Sequence, residues 1–191
     1  MKARAHFLIQ PGWQNSGPHH WQTLWEAQLG VAATRVLQQD WMVPERTAWT
    51  GTLELTIRRM QPPVVIVAHS IGCMATVYAI ATAPVAAVVL VAPADAERSD
   101  APGALHTFTP IPMKPLATPA LLVASDSDPY CTLDRAEAFA QAWKADLEIV
   151  TGGGHINADA GFGPWSDGWL MVGEWLRRHA LGWPESERTD A

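Results

Sequence analysis

Apolar positions fall in short runs separated by longer stretches in which they recur every three or four residues. His6–Ile9 and Val64–Ala68 are runs of the first kind, the second β-branched through its centre. Ala86–Val91 and Ala120–Ala124 repeat that pattern, and Leu147–Val150 is a last short run. Arg35–Leu37 is a weaker strand. Helical spacing marks Trp21–Leu29, Thr52–Met60 (through Leu53, Ile57 and Met60) and Gly72–Thr82. It returns in Leu133–Lys144, with Leu133, Ala136, Phe139, Ala140 and Trp143 on one stripe, and in Gly168–His179. The segment from Ala92 to Pro119 is proline-rich and without period, and is expected to border a pocket.

Strand alternating with helix predicts an α/β fold: a doubly wound, mainly parallel six-stranded sheet with helices on both faces. The expected organisation is one domain over residues 1–184 and a flexible tail over 185–191. Such sheets bind ligands beyond the carboxyl ends of their strands. The strand ends carry Gln10-Pro11-Gly12-Trp13, His69-Ser70-Ile71-Gly72, Ser125-Asp126-Ser127-Asp128, and Gly152-Gly153-Gly154-His155. A serine, a carboxylate and a histidine therefore each follow a strand, in the chain order used by hydrolases on a parallel sheet.

Composition narrows the function classes. The 191 residues are 48% apolar, with a net charge of -6 and no basic run, which argues against nucleic acid as a partner. No stretch approaches the ~18–20 apolar residues needed to span a bilayer. The run from Val85 to Pro93 is too short, and the start MKARAHFLIQPGW lacks the apolar core of a signal peptide. Cys73 and Cys131 form no metal-ligand pattern, so no metal and no cofactor are expected, and the compartment is expected to be the cytoplasm. The sequence sets no oligomeric state. Ten tryptophans are unusual for this length. Most must build core, while Trp13, Trp41, Trp49 and Trp165 are expected in loops, where they could line a pocket.

The chemistry explains the set. A serine hydroxyl is a poor nucleophile at neutral pH until a histidine takes its proton and a carboxylate fixes that histidine's tautomer. The serine must stand on a crowded strand-to-helix turn, so residues two before and two after must be small. Gly72 meets this need, and Ala68 replaces the usual first glycine at the cost of one methyl. Alone, Ser70 could equally be a helix cap. His19 and His20 could shape a pocket. His69 adjoins the serine, and Cys73 is read as a small core residue.

Four stretches, PGWQNSGPHHWQTLWE, VAHSIGC, VASDSDPYC and GGGHINADAGFGPW, give the chain its resemblance to α/β-hydrolases. More closely, it resembles the small serine hydrolases of the retinoblastoma-binding-protein-9 and bacterial YdeN type. That resemblance covers nearly the whole chain. It implies a minimal hydrolase fold without a large lid, with Ser70 as nucleophile, Asp128 as acid and His155 as base. It also implies an oxyanion hole from the backbone N–H groups of Ile71 and Trp13, beside Gly12 and His69. Asp126 and Asp95 compete with Asp128 for the acid. The implied activity is cleavage of a small ester, amide or thioester through an acyl-enzyme, with a small-molecule acyl substrate as partner. Two other readings stand beside it. One is a binding protein on a hydrolase fold, although the peptide pattern L-x-C-x-E is absent. The other is an acyltransferase using the same three residues.

Overall fold

The computed structural model describes residues 5–184, so the expected tail over 185–191 lies outside the described residues. Six strands form one parallel sheet. They are β1 (His6–Gln10), β2 (Ala33–Arg35), β3 (Val64–His69), β4 (Ala87–Val91), β5 (Ala120–Ser125) and β6 (Asp146–Val150), in the order β2-β1-β3-β4-β5-β6. Every pairing is parallel, with Ile9 opposite Val67 and Val67 opposite Val89. The near-continuous Val, Ile and Leu content of β3, β4 and β5 follows from burial on both faces. The edge strands β2 and β6 are partly exposed.

Side-chain alternation divides the core in two. Leu8, Ile66, Leu90 and Leu122 point to one face, where they meet helices α2 (Arg46–Arg59), α3 (Ile71–Ala79) and α4 (Leu133–Trp143). Phe7, Ile9, Val65, Val67 and Val89 point to the other, against α1 (Trp21–Leu29) and α5 (Ser166–Arg178). Trp21, Trp25, Trp169 and Trp175 fill that second layer, and each fully buried side chain of this kind contributes about 2–3 kcal/mol or more through the area it removes from water.

Three boundaries differ from the sequence reading. Helix α2 begins at Arg46, not Thr52, because Glu45 acts as its cap and accepts a hydrogen bond from Ala48 N. Trp49 is therefore a buried helical residue one turn before Leu53, not a loop residue. Strand β2 is Ala33–Arg35, two residues earlier than expected. Leu37 is exposed, and Val36 N already bonds back to Ile9 O at the strand's end. Helix α3 stops at Ala79, short of Thr82. The proline-rich segment contains a 3-10 turn, Gly103–Phe108, whose Leu105 and Phe108 bury against the α2–α3–α4 face. No helix among the described residues is long and apolar enough to cross a membrane.

Candidate active site

β1 and β3 are neighbours in the sheet, yet their outgoing connections lead to opposite faces, to α1 and to α3. This is the switch point at which a crevice opens. Ser70 stands there between β3 and α3 with φ 56 and ψ -130, close to the first central residue of a type II′ turn, a place glycine usually takes. The turn is held from behind, because Ser70 N donates to Val91 O at 3.0 Å. It is also crowded from the front. A Cβ on Gly72 would meet the carbonyl oxygens of Pro11 and Gln10, the latter at 2.8 Å. A Cβ on Gly12 would come within 2.7 Å of Ser70 Cβ. Ala68 is buried with its methyl in the α2–α3–α4 core, so the missing glycine is absorbed by packing.

The loops after β5 and β6 converge on Ser70. His155 Nε2 lies 2.8 Å from Ser70 Oγ, and His155 Nδ1 lies 2.9 and 3.0 Å from the two Asp128 oxygens. An ionised carboxylate can only accept, so the proton sits on Nδ1, and Nε2 is free to accept from the Ser70 hydroxyl. The side chains of His155 and Asp128 are 9% and 2% exposed, which keeps competing water off this line. Asp128 also accepts from Tyr130 N at 2.8 Å, and the Tyr130 ring meets the His155 ring edge-on at 4.5 Å.

The competing carboxylates lie elsewhere. Asp126 accepts from Gly152 N at 2.7 Å, and Ser127 Oγ accepts from Gly154 N at 3.0 Å. Both brace the loop that carries His155. Asp95 is held by other partners. It lies 3.3 Å from Arg135 Nε and accepts from Glu97 N. Cys73 is fully buried with its S–H directed to Val91 O, and burial pushes its thiol well above the usual range.

The loop after β1 forms the opposite wall. Gln14 and Asn15 both have positive φ, 66 and 65, and turn the backbone back over the sheet edge. Trp13 Nε1 donates to Met42 O, and Arg35 ties the loop down by donating to Asn15 Oδ1, Ser16 O and Thr23 Oγ while pairing with Glu26. Beneath it, Gln22 Nε2 donates to Gln10 O and Val67 O, spanning the ends of β1 and β3. Among the described residues the backbone N–H groups of Ile71 and Trp13 have no acceptor.

These walls enclose a cavity of about 380 Å³, which Trp13, His69, Ser70 and His155 line. Gly12 lies directly against Ser70. Trp165 does not line the cavity. Its indole stacks on Trp25 at 5.5 Å and meets Trp21 and Phe162, because a left-handed φ of 42 turns it into the α1–α5 core. Three imidazoles run in a file, His20 to His69 and His69 to His155, each 4.8 Å apart. Burial holds His69 well below the ordinary histidine range, so it is neutral and donates from Nε2 to His155 O at 2.9 Å. His20 caps α1 and is pushed down to about 4, chiefly by burial and then by Arg35 and His155.

Sequence reasoning did not single out Gln14, Asn15, Leu105, Tyr130 or Asn157 as cavity residues, nor Gln22 and Arg35 as their supports. Most of them sit inside stretches already noted, but their convergence depends on contacts across the sheet. Among the described residues no group of three or more His, Cys, Asp or Glu side chains is placed to hold a metal ion.

Comparison with known proteins adds the following. A serine hydrolase family matches residues 7–174. A YdeN-like hydrolase from Pectobacterium atrosepticum is 31% identical with TM-score 0.84, covering 92% of each chain. The ydeN gene product of Bacillus subtilis is 21% identical with TM-score 0.73, covering 93% of this chain and 98% of that one. Est1E from Butyrivibrio proteoclasticus, solved with ferulic acid bound, shares the fold at 14% identity and TM-score 0.67, covering 93% of this chain and 90% of that one. No curated protein matches the sequence.

Proposed function

The chain belongs to the serine hydrolase family, and we propose that it cleaves small carboxylic esters through Ser70, His155 and Asp128 by way of an acyl-enzyme. The observation that supports this most is the unbroken line Asp128–His155–Ser70, made of hydrogen bonds of 2.8–3.0 Å and shielded from water.

The steps follow from that line. Ser70 Oγ attacks the ester carbonyl carbon as its proton passes to His155 Nε2. Asp128 holds the resulting imidazolium by its Nδ1–H. The carbonyl oxygen becomes an oxyanion, and the free N–H groups of Ile71 and Trp13 are the donors assigned to it. Ile71 opens α3, so the helix N-terminus adds its partial positive charge. The C–O bond then breaks, His155 gives its proton to the leaving oxygen, and the acyl group stays on Ser70. Water repeats the sequence, with His155 again as base. Backbone strain at Ser70 serves this chemistry, since it lifts Oγ clear of β3 into the cavity.

A fluorophosphonate probe checks the assignment. It is expected to label the wild-type protein and to leave Ser70→Ala unlabelled. Equal labelling of both would overturn the role of Ser70.

A further inference from the structure

The cavity over Ser70 is chemically divided. Part of its wall is apolar: Trp13, Ala94, Pro102 and Leu105, with the Tyr130 ring 4.5 Å from the His155 ring. Ala94 and Leu105 belong to the α2–α3–α4 core, and Trp13 packs against it. Charges bordering these residues engage one another, Arg98 with Asp100, and Arg135 with both Asp95 and Glu97. The residues themselves present an apolar surface.

The rest of the wall is polar: Gln14 and Asn15 from the loop after β1, His20 at the start of α1, and Asn157 and Asp159 from the loop after β6. This wall has unspent hydrogen bonds. His20 is only 6% exposed, and its Nδ1 accepts from Gln22 N. That fixes the proton on Nε2, which has no partner among the described residues. Asn157 spends Oδ1 on Ala160 N, and Asn15 spends Oδ1 on Ser16 N and Arg35, so each keeps its amide N–H₂ for the cavity. Asp159 adds acceptors. The wall thus offers several neutral donors and one carboxylate, while Arg35 behind it is consumed by its own partners.

The chemistry orients an ester across this divide. Resting on the proposed roles of Ser70 and His155, the leaving oxygen must reach His155 Nε2 to collect its proton. The chain runs from His155 straight to Asn157 and Asp159, and His155 joins His20 through the file of rings. A leaving group at Nε2 comes beside Asn157 and Asp159, which follow His155 in the chain, and leaves Ala94, Pro102 and Leu105 for the acyl group. We propose that the substrate is an ester of a neutral, polyhydroxylated alcohol, glycerol-like or sugar-like, carrying a short uncharged acyl group. His20 Nε2–H and the Asn157 amide donate to its hydroxyl oxygens, and Asp159 accepts from its hydroxyl protons.

The test is a matched pair, glyceryl monobutyrate against n-propyl butyrate, with each kcat/KM divided by the ester's rate of hydrolysis by hydroxide. The glyceryl ester is expected to lead by about tenfold or more, the gain from one or two well-made hydrogen bonds. His20→Asn keeps an acceptor for Gln22 N and removes the Nε2–H. It is expected to cut that ratio by about fivefold. A ratio near one, or a 2-aminoethyl butyrate faster than both, overturns the polyol assignment while fluorophosphonate labelling persists. Loss of both turnover and labelling in wild type would instead overturn the hydrolase reading on which the assignment rests.

Discussion

Replacing Ser70 by glycine removes activity, and it should also leave a more stable protein than replacing it by alanine. The reason is the backbone. At φ 56 and ψ -130 a Cβ is crowded, and such strain costs about 1–3 kcal/mol. Alanine keeps the Cβ and glycine does not. Both variants lose the hydroxyl and its bond to His155, so those losses cancel in the comparison. Glycine's extra freedom in the unfolded chain takes back about 0.4–1 kcal/mol. The Ser70→Gly variant should therefore exceed Ser70→Ala by about 1 kcal/mol, worth roughly 2–4 °C in Tm for a chain of this size. Urea unfolding of both variants, with equal m-values, gives the difference directly. An ordinary helical site supplies the control: Ala142→Gly in α4 should lose about 1 kcal/mol. If Ser70→Gly is less stable than Ser70→Ala by that same margin, the turn holds no strain and the reasoning fails.

Asp128→Asn should lower kcat by ~10³–10⁴-fold through loss of the correct tautomer, while Asp95→Asn stays within about threefold; steady-state kinetics with p-nitrophenyl butyrate distinguishes them, and the reverse order would move the acid to β4. Gly12→Ala forces a Cβ to 2.7 Å from Ser70 Cβ and should cost about 10–100-fold in kcat, whereas Gly51→Ala, with open space around it, should not slow turnover. Stability should fall on acidification. His20 takes up its proton only near pH 4 when folded but near 6.5 when unfolded, so the unfolded chain holds the extra proton between those values. The contribution is whole above pH 6.5 and is lost as pH falls towards 4, by up to about 3 kcal/mol, and His69 acts in the same direction. Urea midpoints at pH 7.5 and 5.0 should show the drop, with a shallower slope in His20→Asn. A flat profile would contradict it.

The site was legible wherever a strand end carries its residue directly. Ser70, Asp128 and His155 lie one, three and five residues beyond the ends of β3, β5 and β6, so the sheet itself brings them to one edge. Apolar runs identify such strands even without partners. The choice among Asp126, Asp128 and Asp95 was not legible in spacing. It depends on which groups each carboxylate meets: the backbone N–H of Gly152 bonds Asp126, while Glu97 N and the Arg135 guanidinium hold Asp95. Trp165 does precede α5 as a loop residue, but its ring turns from the cavity into the core. Its stacking on Trp25 joins positions far apart in sequence. The early start of α2 was hidden by an unusual glutamate cap. Gln22, whose amide donates to the Gln10 and Val67 carbonyls, and Gln38, whose amide donates to Gln10 Oε1, look like ordinary polar residues until β1 and β3 lie side by side.

The central claim is a covalent step at Ser70. Rapid mixing with p-nitrophenyl butyrate tests it most directly, with the quenched protein digested and its peptides weighed. The account predicts a burst of nitrophenol approaching one equivalent per chain, and a butyryl group on the peptide containing Ser70. In Asp128→Asn that adduct should form slowly, and in Ser70→Ala not at all. Turnover of the ester by Ser70→Ala at the wild-type rate, or a butyryl group carried on Cys73, Cys131 or His155 with Ser70 unmodified, would contradict it.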